Sequence, residues 1–191
     1  INPHFLFNTL NTISSFIRTD PNTARELLKK FATFYRHTLE HVDEEVTLAD
    51  ELDFLEQYFS LEKARFGDRL SLEMDIEEDL RDFAMPAFML QPLVENCVGH
   101  AMRETGEPLH ITVTASQDAD FVYMGVEDDG CGIPEERLAT IFDQHSGKGL
   151  GIALRNVRDR LIGVYGRKSK FNIESSQGKG TKAYFVIAKE S

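Results

Sequence analysis

The feature that most constrains this chain is a change of apolar period at Gly67-Asp68. Before it, apolar residues recur every three or four positions; after it, they alternate, with Leu70, Leu72, Met74 and Ile76 on one face of a predicted strand. A period near 3.6 belongs to helices and a period of 2 to strands, so the chain divides into a helical part, residues 1–68, and a mixed part, residues 69–191. The first predicted helix starts near Pro3 and runs to about Arg18, with Leu6, Leu10, Ile13 and Ile17 on its stripe. Asp20-Pro21 reads as an N-cap and first-turn proline for a second, which places Leu27, Phe31, Phe34 and Thr38 on one face. After the acidic loop Asp43-Glu44-Glu45, Thr47-Leu48-Ala49-Asp50 resembles a capping box. It opens a third helix of about 28 Å, ended by Gly67. None of these helices can bury its apolar face alone, so a hairpin that completes a bundle with a second copy is the economical arrangement.

In the mixed part, the spacing predicts a helix over Pro86–Met102, strands over Leu109–Ala115 and Phe121–Val126, and a short helix from Pro134. A longer helix follows over Gly149–Tyr165, and the chain closes on a hairpin, Phe171–Ser175 with Thr181–Ala188. Between these elements lies a stretch punctuated by glycine. Gly147, Gly149 and Gly151 stand at alternate positions and run into a helix, a pattern whose backbone N–H groups and helix N-terminus suit phosphate oxygens. Asp128, with Gly130 and Gly132, follows a strand, where its carboxylate can accept a hydrogen bond from an exocyclic amine such as that of adenine. Either box alone is weak evidence, because glycine turns are common; their order and spacing carry the signal.

Composition removes some alternatives. A net charge of -11 argues against a nucleic-acid-binding surface, and no window approaches a membrane span. Cys97 and Cys131 show no metal or framework spacing, which fits a reducing compartment and small, buried roles. His37 and His41 share a helix face at i,i+4, but no third metal ligand accompanies them, so a helix C-terminal role is expected. The opening Ile1-Asn2-Pro3 lacks an initiator Met and reads as part of a longer protein.

Three strings then carry a resemblance: Asn2-Pro3-His4-Phe5-Leu6-Phe7-Asn8, Tyr58-Phe59-Ser60-Leu61-Glu62-Lys63-Ala64-Arg65-Phe66 and Leu90-Gln91-Pro92-Leu93-Val94-Glu95-Asn96. Together they resemble the sensor histidine kinases of the LytS type, and the glycine boxes resemble the ATP-binding fold shared by histidine kinases, gyrase and MutL-like ATPases. The resemblance implies an α+β protein, a helical hairpin for dimerisation and phosphoacceptance followed by a Bergerat-type α/β sandwich that binds ATP. By position it implies His4 as phosphoacceptor, Asn96 as ligand of a magnesium ion, and Asp128, Gly130 and Gly132 as the adenine box. Phe142 stands at the F-box aromatic; Gly147, Gly149 and Gly151 form the second glycine box; Thr181 lies beside the adenine. The implied partners are a response-regulator receiver domain and a second copy of the chain. The implied setting is a cytoplasmic domain of a protein anchored in the bacterial inner membrane, with membrane contact only through the part preceding this chain.

The chemistry of these residue types agrees. Neutral imidazole offers a lone pair near pH 7, magnesium favours few protein ligands plus phosphate oxygens, and phosphoryl transfer needs mainly positioning and charge neutralisation. Lys148, between two glycines, is the candidate cation for the phosphates, and Asn8, one turn beyond His4, is a candidate to orient a water for dephosphorylation. The chain departs from the family at Phe5, which follows the histidine where many relatives carry an acid. It departs again at Gly99, where relatives usually carry lysine, and in the short stretch from Phe142 to Gly147. Rival readings are a nucleotide-dependent switch and a dimeric scaffold without turnover.

Overall fold

The computed structural model describes residues 3–40, 45–104, 107–142 and 150–189. Two helices open it, α1 (Pro3–Thr19) and α2 (Pro21–Glu40). Asp20 separates them and caps α2 as the sequence predicts, its Oδ1 accepting from Thr23 N at 3.1 Å. A short strand β1 (Glu45–Thr47) leads into α3 (Leu48–Phe66). The capping box forms: Thr47 Oγ1 accepts from Asp50 N at 3.2 Å, and Asp50 Oδ2 accepts from Thr47 N at 2.9 Å.

Helix α3 is buried on two sides. Leu48, Leu52 and Leu55 are buried along one side, and Phe54, Tyr58 and Leu61 are buried as well. The second face meets the α1–α2 hairpin through aromatic rings: Phe34 stacks on Phe54 at 4.6 Å, and Phe5 lies 5.3 Å from Phe34 and 5.0 Å from Tyr58. One hydrophobic core therefore runs from the hairpin through α3 into the mixed part.

The mixed part is a five-stranded sheet in the order β2-β4-β5-β7-β6, from β2 (Leu70–Ile76), β4 (Leu109–Gln117), β5 (Phe121–Asp128), β7 (Gly180–Ala188) and β6 (Lys170–Ser176). Strands β2 and β4 are parallel, and the other pairs antiparallel. Alternation holds: Leu109, Ile111, Val113 and Ala115 of β4, and Val122, Met124 and Val126 of β5, are buried beneath helices α4 (Gln91–Glu104) and α6 (Leu150–Tyr165). A short helix α5 (Glu135–Ala139) follows the first glycine box. No described helix is long and apolar enough to cross a membrane.

The helix expected from Pro86 begins five residues later, at Gln91. Residues 84–86 instead form β3, paired antiparallel with β1, Glu45 opposite Pro86 and Thr47 opposite Ala84. Phe88 then takes φ 62°, a left-handed conformation that breaks any helix started at Pro86. Because Phe34 is 1% exposed and shares ring contacts with both Phe5 and Phe54, Phe34→Ala removes the centre of the hairpin's packing. We expect it to cost about 3–5 kcal/mol in denaturant unfolding, whereas Val164→Ala, at a 56% exposed position, leaves the midpoint nearly unchanged.

Candidate nucleotide site

Pairing of β5 with β7 sets Asp128 directly opposite Thr181 at one end of the sheet. Asp128 is 8% exposed, and its Oδ1 accepts from Gly130 N at 2.9 Å. Burial pushes its carboxyl above the usual aspartate value, against hydrogen bonds from Gly130 N and the Cys97 thiol that act the other way. The turn after it is pressed against the β6–β7 hairpin. Gly178 N donates to Cys131 O at 2.6 Å, and Ser175 Oγ, 2.8 Å from Thr181 Oγ1, also accepts from Ile133 N at 2.8 Å. Two glycines make this approach possible. At Gly132, φ 68°, a methyl group would fall on the Ser176 carbonyl, and at Gly180, φ 88°, on the Asp128 carbonyl.

Above this floor lies a cleft that opens to solvent. Asn96 and Cys97 of α4, Asp128, Gly132 and Thr181 line it, so four of the sequence's candidates from three separated segments meet in one place. Apolar walls come from Val126, Ile133, Leu154 and Ile173. Asn96 Nδ2 is a buried amide nitrogen with no hydrogen-bond partner among the described residues, which a native fold tolerates where a ligand or water completes the shell.

Gly130 belongs to the floor through its bond to Asp128. Phe142 does not reach the cleft lining; it packs edge-on to Phe171 at 6.0 Å, under the Arg158 guanidinium at 4.8 Å. Gly151 sits in the first turn of α6, while Gly147, Lys148 and Gly149 lie outside the described residues, as does His41. At Gly99 an added Cβ would meet nothing within 4 Å among the described residues, so no close approach requires glycine there. Sequence reasoning missed Arg137 of α5, a cation lining the cleft, for which no local signal exists. It also read Cys97 only as a small buried residue. Its thiol is hydrogen-bonded to Asp128, and burial pushes its pKa well up, so it serves as a neutral donor.

At the other end of the chain, His4 and Asn8 lie on the exposed side of α1. Asn8 Nδ2 stands 2.7 Å from His4 Nδ1 and 3.4 Å from His4 Nε2, so the amide grips the imidazole edge. His37 packs its ring on Phe54 at 5.2 Å, and among the described residues no cluster of three His, Cys, Asp or Glu side chains forms a metal cage.

This arrangement defines a class: the chain belongs to the histidine kinase-, DNA gyrase B- and HSP90-like ATPase family, whose model matches residues 87–191, and the histidine kinase family model matches residues 1–70. Among named relatives, it is 39% identical over 193 residues to Sensor protein LytS of Bacillus cereus and 38% identical over 190 residues to Sensor protein LytS of Bacillus subtilis. The matches take in 100% and 98% of this chain but 33% and 32% of those proteins, so it spans about a third of their length. Solved structures show the same fold. The catalytic domain of histidine kinase ThkA superposes with a TM-score of 0.57 at 22% identity, over 77% of this chain and 95% of that one. Histidine kinase ThkA in complex with response regulator protein TrrA gives 0.54 at 24% identity, over 98% of this chain and 60% of that one.

Burial of Asp128 has a measurable sign. A carboxyl whose folded pKa is raised binds more protons in the folded state, so its contribution to stability is fully present below the ordinary value of 3.8 and is lost as pH rises through the folded pKa. Ligand-free Asp128→Asn is therefore expected to melt at or above the wild-type temperature at pH 7, with the gap closing below about pH 4. Calorimetric scans across pH check this.

Proposed function

We propose that this chain is the catalytic core of a sensor histidine kinase, which transfers the γ-phosphoryl group of ATP to His4 and passes it to an aspartate of a response regulator. The observation that carries the reading is the meeting of Asn96, Asp128, Gly132 and Thr181 in one cleft, in a chain whose exposed His4 stands at the start of a helical hairpin. Adenine would lie over the floor, its exocyclic amine donating to Asp128 beside Thr181, with Gly130 and Gly132 giving the backbone room. The phosphates would extend towards the second glycine box, Gly147, Gly149 and Gly151, with Lys148 as a counter-charge and Arg137 as a further cation on the cleft wall. Phe142 would support that side from its position on Phe171.

Asn96 suits magnesium: a single amide oxygen on a helix leaves the remaining positions to phosphate and water, and its Nδ2 is free among the described residues to donate to an oxygen of the ligand. When bound, that ion would neutralise charge on the phosphates. In the transfer, a lone pair of the His4 imidazole attacks the γ-phosphorus, the bond from that phosphorus to the β–γ bridging oxygen breaks, ADP leaves, and the imidazole loses its N–H proton to solvent. In the second step the N–P bond breaks as an aspartate oxygen of the receiver attacks. Asn8, 2.7 Å from the ring, would hold the imidazole and orient a water for dephosphorylation.

Phe7, Ile17, Leu28 and Leu39 are more than half exposed on α1 and α2, an apolar face that supports a homodimer closing a four-helix bundle. Likeness to sensor proteins three times its length supports a cytoplasmic role in a protein anchored in the bacterial inner membrane by segments outside this chain.

Incubation with γ-labelled ATP and magnesium tests the reading. Wild-type protein is expected to acquire acid-labile, alkali-stable label, His4→Gln none, and Asn96→Ala about 10–100-fold less. Asn8→Ala should lose whatever label it acquires more slowly than wild type. Free phosphate without labelled protein would mean a nucleotide switch, and neither product a scaffold.

A further inference from the structure

Glu51 of α3 takes no part in the cleft, yet it is 2% exposed. Its Oε2 accepts from Phe88 N at 2.7 Å, and its Oε1 accepts from Leu90 N at 2.9 Å and Gln91 N at 3.2 Å. Gln91 begins α4, so a carboxylate from another helix fills the place where N-terminal N–H groups are unpaired and negative charge is favoured. Asn96 lies five residues further along the same helix.

The turn so held contains Phe88 at φ 62°, a costly conformation for an aromatic residue that persists only where its surroundings impose it. Its backbone is tied to Glu51, and its ring meets Phe54 edge-on at 5.2 Å. From Phe54 the rings continue to Phe34 at 4.6 Å and to Phe5 at 5.3 Å, the neighbour of His4 in sequence. On the opposite side Arg160 of α6 donates from Nη1 to Ala87 O at 2.7 Å. One strained turn thus joins the hairpin, the helix carrying Asn96 and the helix that follows the second glycine box.

We propose that the Glu51-clamped turn at Phe88 couples the nucleotide cleft to α1: Glu51 is a positioning residue for α4 and Asn96, and Phe88 passes the pose of α4 through Phe54 and Phe34 to the helix bearing His4. Strain supplies the second state that such coupling requires, because a turn released from Glu51 relaxes towards negative φ and withdraws its ring from Phe54. The inference rests on the functional reading above for its purpose, but the coupling itself is measurable with ADP alone.

The test compares amide hydrogen exchange with and without saturating ADP and magnesium in wild type, Phe88→Gly and Glu51→Gln. Glycine adopts positive φ without strain, so Phe88→Gly keeps the turn and loses only the ring. In wild type ADP is expected to slow exchange in both α4 and α1. In Phe88→Gly the α4 response persists and the α1 response disappears, with ADP affinity within twofold of wild type. Glu51→Gln, which turns an amide donor towards backbone donors, should weaken ADP binding about tenfold. In the labelling assay, the expected split is a raised KM for ATP in Glu51→Gln and a lowered kcat at unchanged KM in Phe88→Gly. Adding Phe54→Leu to Phe88→Gly should bring no further loss of the α1 response. An α1 response that persists in Phe88→Gly, or is absent in wild type while α4 responds, overturns the coupling. Variants that merely melt earlier, with affinity and exchange responses intact, overturn it too. Wild-type protein that shows both responses but takes no label on His4 sinks the kinase reading and leaves the coupling standing.

Discussion

The register between β5 and β7 places Asp128 across from Thr181 and, one step beyond, brings the Asp128 carbonyl against Gly180. Because side chains alternate across a sheet, a slip of one residue would turn Asp128 to the outer face and bury Glu127 in its place. Two observations hold the register. The apolar residues Val122, Met124 and Val126 share the face of Asp128 and are all buried, so a slip would expose the centre of the sheet. And the backbone approach at Gly132 and Gly180 accepts no Cβ, so the turn after β5 and the hairpin before β7 fit together in one alignment. The floor of the cleft is thus an outcome of sheet pairing, with the carboxylate carried to its post by three buried neighbours.

Helix α3 does for the whole chain what that register does for the cleft. A helix with a single apolar stripe can belong to one layer; α3, with Leu52 and Leu55 on one side and Phe54 and Tyr58 on the other, must lie between two. The β1–β3 pair and the Glu51 carboxylate then fasten its N-terminal half to the segment that precedes α4. The hairpin and the sandwich consequently share side chains from the same helix, and the apolar core is continuous across the change of period at Gly67.

How much of this is legible in the sequence depends on whether the cause is local. Thr47 and Asp50 signal each other across three residues, Asp20 signals α2, and the alternation of β2, β4 and β5 is visible at once; all of these form as read. The start of α4 was misplaced because Pro86 carries the ordinary mark of a helix beginning, while the partners that decide the matter, β1 and Glu51, are about 40 residues away. The second face of α3 stays hidden for the same reason: nothing local marks Phe54 for burial until α2 supplies Phe34 to stack on it. Within the cleft, Asp128 and Gly132 are marked by type and spacing, whereas Asn96 and Thr181 are reached only through the family resemblance. Arg137 has neither signal, since an arginine in a short acidic helix has the look of a solvated surface until the fold sets it at the cleft wall.

The cleft is also where the fold carries its least comfortable groups. The Asp128 carboxyl is raised above the usual range by burial, and Asn96 Nδ2 is buried with no partner among the described residues. In a ligand-free protein each of these weakens the native state, since desolvated polar groups cost free energy until they are paired. A ligand that donates to Asp128 and completes the shell of Asn96 removes two of those costs together, so it stabilises the folded chain by more than its own contacts would suggest. A net charge of -11 works against a polyanionic ligand at long range, but over distances beyond about 8 Å salt screens it. What decides binding is therefore the local balance among the described residues: the Arg137 cation at the wall, a buried amide without a partner there, and a carboxylate kept from water by the strands that deliver it.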